Sequence, residues 1–168
     1  KGYKLSLTQE SAGDHLRAND LSLLGMRQDN DWILYGAYND QEKIRNVFSS
    51  NLWQYSCAQD NAYGVNTGAE YKYLELFING EYRGLYALGY SIDKKQLQLD
   101  MESGKEALYK VANWVDCSTV YYGDLEGYEV KGMEEGEENW SLLTDYYGKL
   151  YLDPEDNEGL YQGIDLDN

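Results

Sequence analysis

An α+β fold, mainly antiparallel sheet with a packed amphipathic helix and a further helix toward the carboxyl end, is what three patterns in the chain predict. Tyr3, Leu5 and Leu7 alternate with Lys4, Ser6 and Thr8, the period-2 pattern of a half-buried strand. Ile44, Val47, Phe48, Leu52 and Tyr55 fall at offsets 0, 3, 4, 8 and 11, one face of a 3.6-residue repeat. Asn79-Gly80 separates two alternating runs, Tyr71–Ile78 and Glu81–Leu88. This pair suits a two-residue type I′ turn, in which both central residues need positive φ.

The remaining elements follow in chain order. After the first strand a polar stretch through Gly13 and Asp14 reads as a loop, Leu21–Met26 as a short apolar patch and Asp29-Asn30-Asp31 as a turn. Trp32–Tyr35 reads as a more buried strand. For the helix, Asn39 stands where an N-cap belongs, with Glu42 three residues on to reach back, and Asp40 and Glu42 suit the positive end of the dipole. Asn61–Gly68 reads as a loop. In the hairpin, the turn pairs residues whose numbers sum to 159, which sets Glu75 opposite Gly84 among Tyr73, Phe77, Tyr82 and Tyr86. An unpaired carboxylate in such surroundings is costly, so Glu75 either bonds tyrosine hydroxyls or belongs to a functional pair. Asp93-Lys94-Lys95 reads as a turn, Ala107–Ala112 and Tyr128–Lys131 as strands, and Asp116–Gly127 as loop. Trp140, Leu143, Tyr147 and Leu150 mark the second helix.

Composition narrows the function. Fourteen Lys and Arg against 30 Asp and Glu leave 168 residues with a net charge of −16. Nucleic acid and anionic membrane surfaces are thereby excluded as partners, because both are bound through basic groups. The apolar runs are far shorter than the roughly 20 residues that span a bilayer, so no membrane insertion is expected. The chain is nonetheless no disordered acidic tail: 42% hydrophobic and 14% aromatic residues are enough to build a core. Eighteen Tyr against two Phe favour half-buried sheet faces and contact surfaces, since each ring carries a hydroxyl that needs a partner or water. Cys57 and Cys117 allow one disulfide or two reduced core thiols.

Several chemistries lack their residues. His15 is the one histidine, without a nucleophile motif, and no P-loop or dinucleotide fingerprint occurs. Asp153, Glu155 and Asn157 begin like a calcium loop, but Glu158 stands where the turn needs glycine and Ile164 where a bidentate carboxylate belongs.

Two blocks resemble the CotH family, named after a spore coat protein and regarded as atypical protein kinases. One is Ser22–Asp40 (SLLGMRQDNDWILYGAYND) running into Lys43–Asn46 (KIRN), and the other is Tyr73–Leu88 (YLELFINGEYRGLYAL). Tyr3–Leu7 and Gly127–Lys131 are similar to further family strands. The resemblance implies the nucleotide-binding amino-terminal lobe of a bilobal kinase-like fold over residues 1–100, continuing toward the second lobe over 101–168. It implies ATP with Mg or Mn as cofactor, and a protein substrate or a coat or surface protein as partner. A spore-coat, cell-surface or secreted setting goes with these. Lys4, with Lys1 as competitor, becomes the candidate phosphate lysine. Arg45 and Asn46 match the family's helix pair, and Glu75 matches its hairpin glutamate. Tyr90 stands where relatives carry a hinge glutamate. No catalytic or metal-holding residue is carried over within the chain. The acidic catalysts are expected past Asn168, so the polypeptide as it stands is expected to transfer no phosphate. The alternative is a non-catalytic, Tyr-rich acidic module that grips a protein partner.

Overall fold

The computed structural model describes residues 2–10, 16–112, 125–133 and 136–152, and among these the fold is α+β, with antiparallel sheets and two α-helices. These fall into two compact units, one of residues 1–59 and 66–92, the other of 60–65 and 93–168.

The first unit is built on a four-stranded antiparallel sheet. Its strands are β1 (Tyr3–Ser6), β6 (Asp31–Tyr35), β7 (Tyr71–Ile78) and β8 (Glu81–Gly89), in the spatial order β1-β6-β8-β7. Alternation in β1 is as expected, with Tyr3 and Leu5 half-buried and Lys4 and Ser6 exposed. Two short hairpins precede β6. β2 (Thr8–Glu10) pairs with β3 (Leu16–Ala18), strands placed where the sequence suggested only a loop, and Gly13, Asp14 and His15 lie outside the described residues. β4 (Leu21–Ser22) pairs with β5 (Gln28–Asp29), so Leu21–Met26 is a strand end and a turn rather than an apolar patch. The expected turn at Asp29–Asp31 is instead the single-residue junction, at Asn30, between β5 and β6.

One face of this sheet carries the core. Met26, Trp32, Leu34, Tyr86, Leu88 and Tyr90 are buried together, with Leu5, Leu74 and Leu76 packed against them. Trp32 is fully buried, and its indole N–H donates to the Asp29 carbonyl at 3.0 Å.

The hairpin turn forms as predicted, with φ of 51° at Asn79 and 80° at Gly80. Its register departs from the expected one. Phe77 faces Tyr82 and Ile78 faces Glu81, but Leu76 faces Gly84, leaving Arg83 as an extra residue on β8. This is a β-bulge, and Gly84 takes a φ of 106° that a side chain would resist. Beyond it the pairing slips by one, which moves every later β8 side chain to the other face. Glu75 therefore faces Leu85, not Gly84, and Tyr86 turns into the core.

α1 (Arg45–Ser56) follows β6 and packs on the other face of the sheet. It begins later than the sequence suggested, and Asn39 does not cap it. Lys43 has a φ of 58°, which cannot sit inside a right-handed helix, so the turns at 37–43 stay outside it. The start is satisfied by Asp40, whose carboxylate accepts the Arg45 backbone N–H at 2.7 Å. The apolar stripe is likewise not the buried one: among its members only Val47 is buried, while Ile44, Phe48, Leu52 and Tyr55 are exposed. Polar side chains face the sheet instead. Asn46 donates to the Tyr35 hydroxyl, and Asn51 both donates to the Tyr71 carbonyl and accepts from the Tyr71 N–H.

In the second unit β9 (Tyr109–Val111) pairs with β10 (Tyr128–Val130), and α2 (Ser141–Leu152) forms where periodicity placed it. Asn139 accepts from the Ser141 N–H and hydroxyl at the start of α2, Tyr109 stacks on Trp140, and the Tyr128 and Tyr147 hydroxyls meet at 3.0 Å. Glu129 is held below the usual carboxylate range by Lys131 and then by Lys110. Cys57 is a free, exposed thiol rather than a core one; Cys117 and the acidic segment from Asp153 lie outside the described residues.

Candidate functional site

The helix-covered face of the first sheet gathers the residues singled out by sequence. Register defines it: Lys4 pairs with Ile33, Ile33 with Gly89 and Gly89 with Tyr71, so these four form one row. Tyr35, Ala87 and Tyr73 form the next row, and alternation along β7 adds Glu75. Lys4 and Glu75 thus stand on the same side as α1. Lys1 lies outside the described residues.

No side-chain hydrogen bond or ion pair joins any two of the four described candidates, of which Arg45 and Asn46 are neighbours in the chain. The Lys4 side chain is 73% exposed and its ammonium lies 3.8 Å from Asp31, which also accepts the Ser6 hydroxyl at 2.6 Å. So exposed a pair contributes roughly 0–1 kcal/mol, and Lys4 can leave it at little cost. Arg45 donates to Glu42 at 3.1 Å and lies 3.9 Å from Asp40. Asn46 is fixed by Tyr35 at 2.7 Å. Glu75 is exposed, with no hydrogen bond or ion pair among the described residues, so neither the ring of tyrosine hydroxyls nor the buried functional pairing expected for it is formed.

Asp40 organises the start of α1. It is buried, one oxygen bonds the Arg45 N–H, and the other has no hydrogen bond among the described residues and lies 3.9 Å from the Arg45 guanidinium. Changing Asp40→Ala is expected to cost about 1 kcal/mol, the usual effect of losing a helix cap, with Asp40→Asn close to the unaltered chain. Urea unfolding and faster amide exchange at Arg45 would measure it.

Tyrosines tie α1 to the sheet. The Tyr73 hydroxyl donates to the Lys43 carbonyl, and the Tyr55 hydroxyl to Glu70 at 2.6 Å. Burial, then neighbouring Tyr35, raises the Tyr71 hydroxyl above the ordinary tyrosine range. Tyr73 is raised by lost hydration and then by the Asp40 charge, and Tyr55 first by its bond to Glu70. All three are therefore neutral at neutral pH, and Tyr73 and Tyr55 act as donors.

Toward a nucleotide with a divalent cation, the candidates offer two exposed cations, Lys4 and Arg45. Lys4 is an accessible cation on β1, on the same side of the sheet as α1. For the metal no ligand set is assigned, since no group of three or more His, Cys, Asp or Glu among the described residues is placed to hold an ion.

A family model described as CotH kinase protein matches residues 1–168, the whole chain. The chain belongs to the CotH family. No curated protein and no solved structure matches this CotH chain. Its departure at Tyr90 now has a structural account. Tyr90 is buried, edge-on to Trp32 at 6.4 Å, with the Arg27 guanidinium 4.3 Å above its ring. Burial raises its hydroxyl. Arg27 also pairs with buried Asp29 at 2.5 Å and donates to the Ser91 carbonyl. This CotH chain therefore uses the position as a core anchor for the segment leaving β8.

Sequence reading passed over two lysine and arginine sites. Arg27 sits in the first recognised block, but its partner Ser91 is far along the chain and no periodicity links them. Lys72 donates to the Leu24 carbonyl at 2.8 Å and pairs with Glu70 at 3.2 Å. It shares the core-side row of Leu88, Leu34 and Tyr3, a placement that only the register reveals.

Proposed function

We propose that this CotH chain is the nucleotide-holding lobe of an ATP-dependent protein serine kinase of the CotH type, with Mg or Mn as the metal. The observation that carries the reading is the order strand, helix, hairpin on one antiparallel sheet, with Lys4 exposed on the side of the sheet that bears α1. In protein kinases a strand lysine holds the α- and β-phosphates and the following helix supplies an orienting group. Here β6, the strand that leads into α1, contains no basic residue, and Lys4 is its neighbour across the ladder at Ile33.

In this reading Lys4 swings from Asp31 to phosphate oxygens. Arg45 brings a second cation at the start of α1, and Asn46 holds α1 on Tyr35. Glu75 is left out of the set, because an unpaired carboxylate repels phosphate. ATP, when bound, supplies the phosphoryl group; the contribution of these residues is to bind and orient it. Metal holding is not assigned to them.

Calorimetric titration of MgATP into the longest natural polypeptide containing this chain tests the reading. Lys4→Met is expected to weaken binding about tenfold or more, the worth of one charge-assisted hydrogen bond. Lys4→Arg should retain most of it. Unchanged affinity in Lys4→Met, or no binding by the unaltered protein, overturns it.

A further inference from the structure

Among the described residues β7 ends the sheet on one side, so half of its backbone groups have no strand to bond there. Which half is fixed by Asn51. Its carboxamide bonds both the N–H and the carbonyl of Tyr71, so Tyr71 points away from β8. By alternation the N–H and carbonyl of Tyr73, Glu75 and Phe77 also point outward. None of these six groups meets a partner among the described residues.

Among the described residues the usual protections of an edge are absent past Asn51. β7 has no proline, the bulge lies on β8, and the basic residue of the strand, Lys72, is drawn to Leu24 and Glu70. The same three residues expose their side chains: Tyr73 is 45% and Phe77 59% exposed, with Glu75 between them. Across the ladder Leu85 faces Glu75, and Tyr82 packs on Phe77 at 5.2 Å between ring centroids. The result is a band of exposed apolar surface with, at its middle, a carboxylate uncompensated among the described residues.

We infer that the edge of β7 at Tyr73–Phe77 receives an extended segment of a partner protein as a fifth strand, with a lysine or arginine of that segment opposite Glu75. The backbone groups at three alternating positions supply the ladder, and side chains select what enters. A cation at the central position meets the Glu75 carboxylate and lies between the faces of Tyr73 and Phe77. Apolar residues two places to either side cover those rings. The net charge of −16 draws in a basic segment and not an acidic one. A second copy of this chain is disfavoured, because the two-fold register that uses all three positions sets Glu75 against Glu75. This surface involves neither Lys4 nor Arg45 and is independent of the nucleotide reading.

The test uses the full chain and two synthetic peptides of alternating Thr and Val, identical except for a central Lys or Glu. Fluorescence anisotropy should show the Lys peptide binding more tightly by about fivefold, the scale of a cross-strand charge pair. The Lys peptide should also slow hydrogen exchange at the Tyr73, Glu75 and Phe77 amides. Glu75→Lys should reverse the preference and Glu75→Gln should level it, and both substitutions fall at an exposed site. Absence of binding, a preference unmoved by Glu75→Lys, or protection of these amides through self-association would each overturn the inference.

Discussion

Trp32→Ala is expected to remove about 3–5 kcal/mol of stability, the usual cost of truncating a buried aromatic to alanine. Trp32 is fully buried among Met26, Leu34, Tyr86, Leu88 and Tyr90. The void left by the indole cannot be filled by neighbours already fixed by ladder bonds. Removing the N–H also leaves the Asp29 carbonyl without the donor it has at 3.0 Å. Asp29 in turn holds Arg27, which covers Tyr90, so the loss spreads to the segment that leaves β8. Against a total of about 5–15 kcal/mol for a typical domain, such a loss brings the first unit close to its unfolding threshold. Urea titration followed by near-ultraviolet circular dichroism would show a midpoint far lower than that of the unaltered chain. Trp32→Phe, which keeps most of the volume, should lose about 1–3 kcal/mol through the unsatisfied carbonyl. A loss in Trp32→Ala below that of Trp32→Phe would mean that the core relaxes around the void.

How much of this was legible depends on the range over which each feature is decided. The turn at Asn79-Gly80 and the first strand are local: positive φ at two adjacent residues, or strict alternation over five, has one structural solution. The bulge is local too, yet Gly84 alone does not announce it, because a strand glycine fits a regular ladder as well as a kink. That single extra residue changed what faces Glu75 across the ladder, from Gly84 flanked by Tyr82 and Tyr86 in the regular register to Leu85 in the bulged one. The helix was legible as a segment and misread as a surface. Periodicity locates the apolar stripe, but the sheet face below α1 offers the Tyr35 hydroxyl and the Tyr71 backbone groups, which Asn46 and Asn51 match and Phe48 and Leu52 cannot. Of the candidate site, the presence of Lys4 on an exposed strand position could be read from alternation. Its alignment with Ile33, Gly89 and Tyr71 is non-local and needed the sheet order. The same limit hid Lys72 and Arg27, whose partners lie on other elements.

Gly89→Ala is expected to destabilise the first unit by about 1–3 kcal/mol, as overpacking commonly does. Gly89 pairs directly with Tyr71, in the row that also holds Ile33 and Lys4. A Cβ there would stand 2.3 Å from the Tyr71 ring and 2.9 Å from the Glu70 carbonyl oxygen. The ring cannot swing aside freely, because it lies edge-on to Tyr35 at 6.3 Å, and the Tyr71 backbone is held from the other side by Asn51. The Glu70 oxygen belongs to the main chain, so its relief requires β7 to move relative to β8. Any such movement shifts Tyr71 and Tyr73, through which α1 is tied to the sheet, and so displaces Arg45 and Asn46 relative to Lys4. Two effects should therefore appear together in Gly89→Ala: a lower urea midpoint and faster amide exchange in α1 as well as in β7. The double variant Gly89→Ala with Tyr71→Leu separates the two obstacles. Removing the ring should restore part of the stability, giving a positive coupling between the sites, while the carbonyl contact keeps the double variant below Tyr71→Leu alone. Additive losses at the two positions would show that ring and methyl do not compete for the same space.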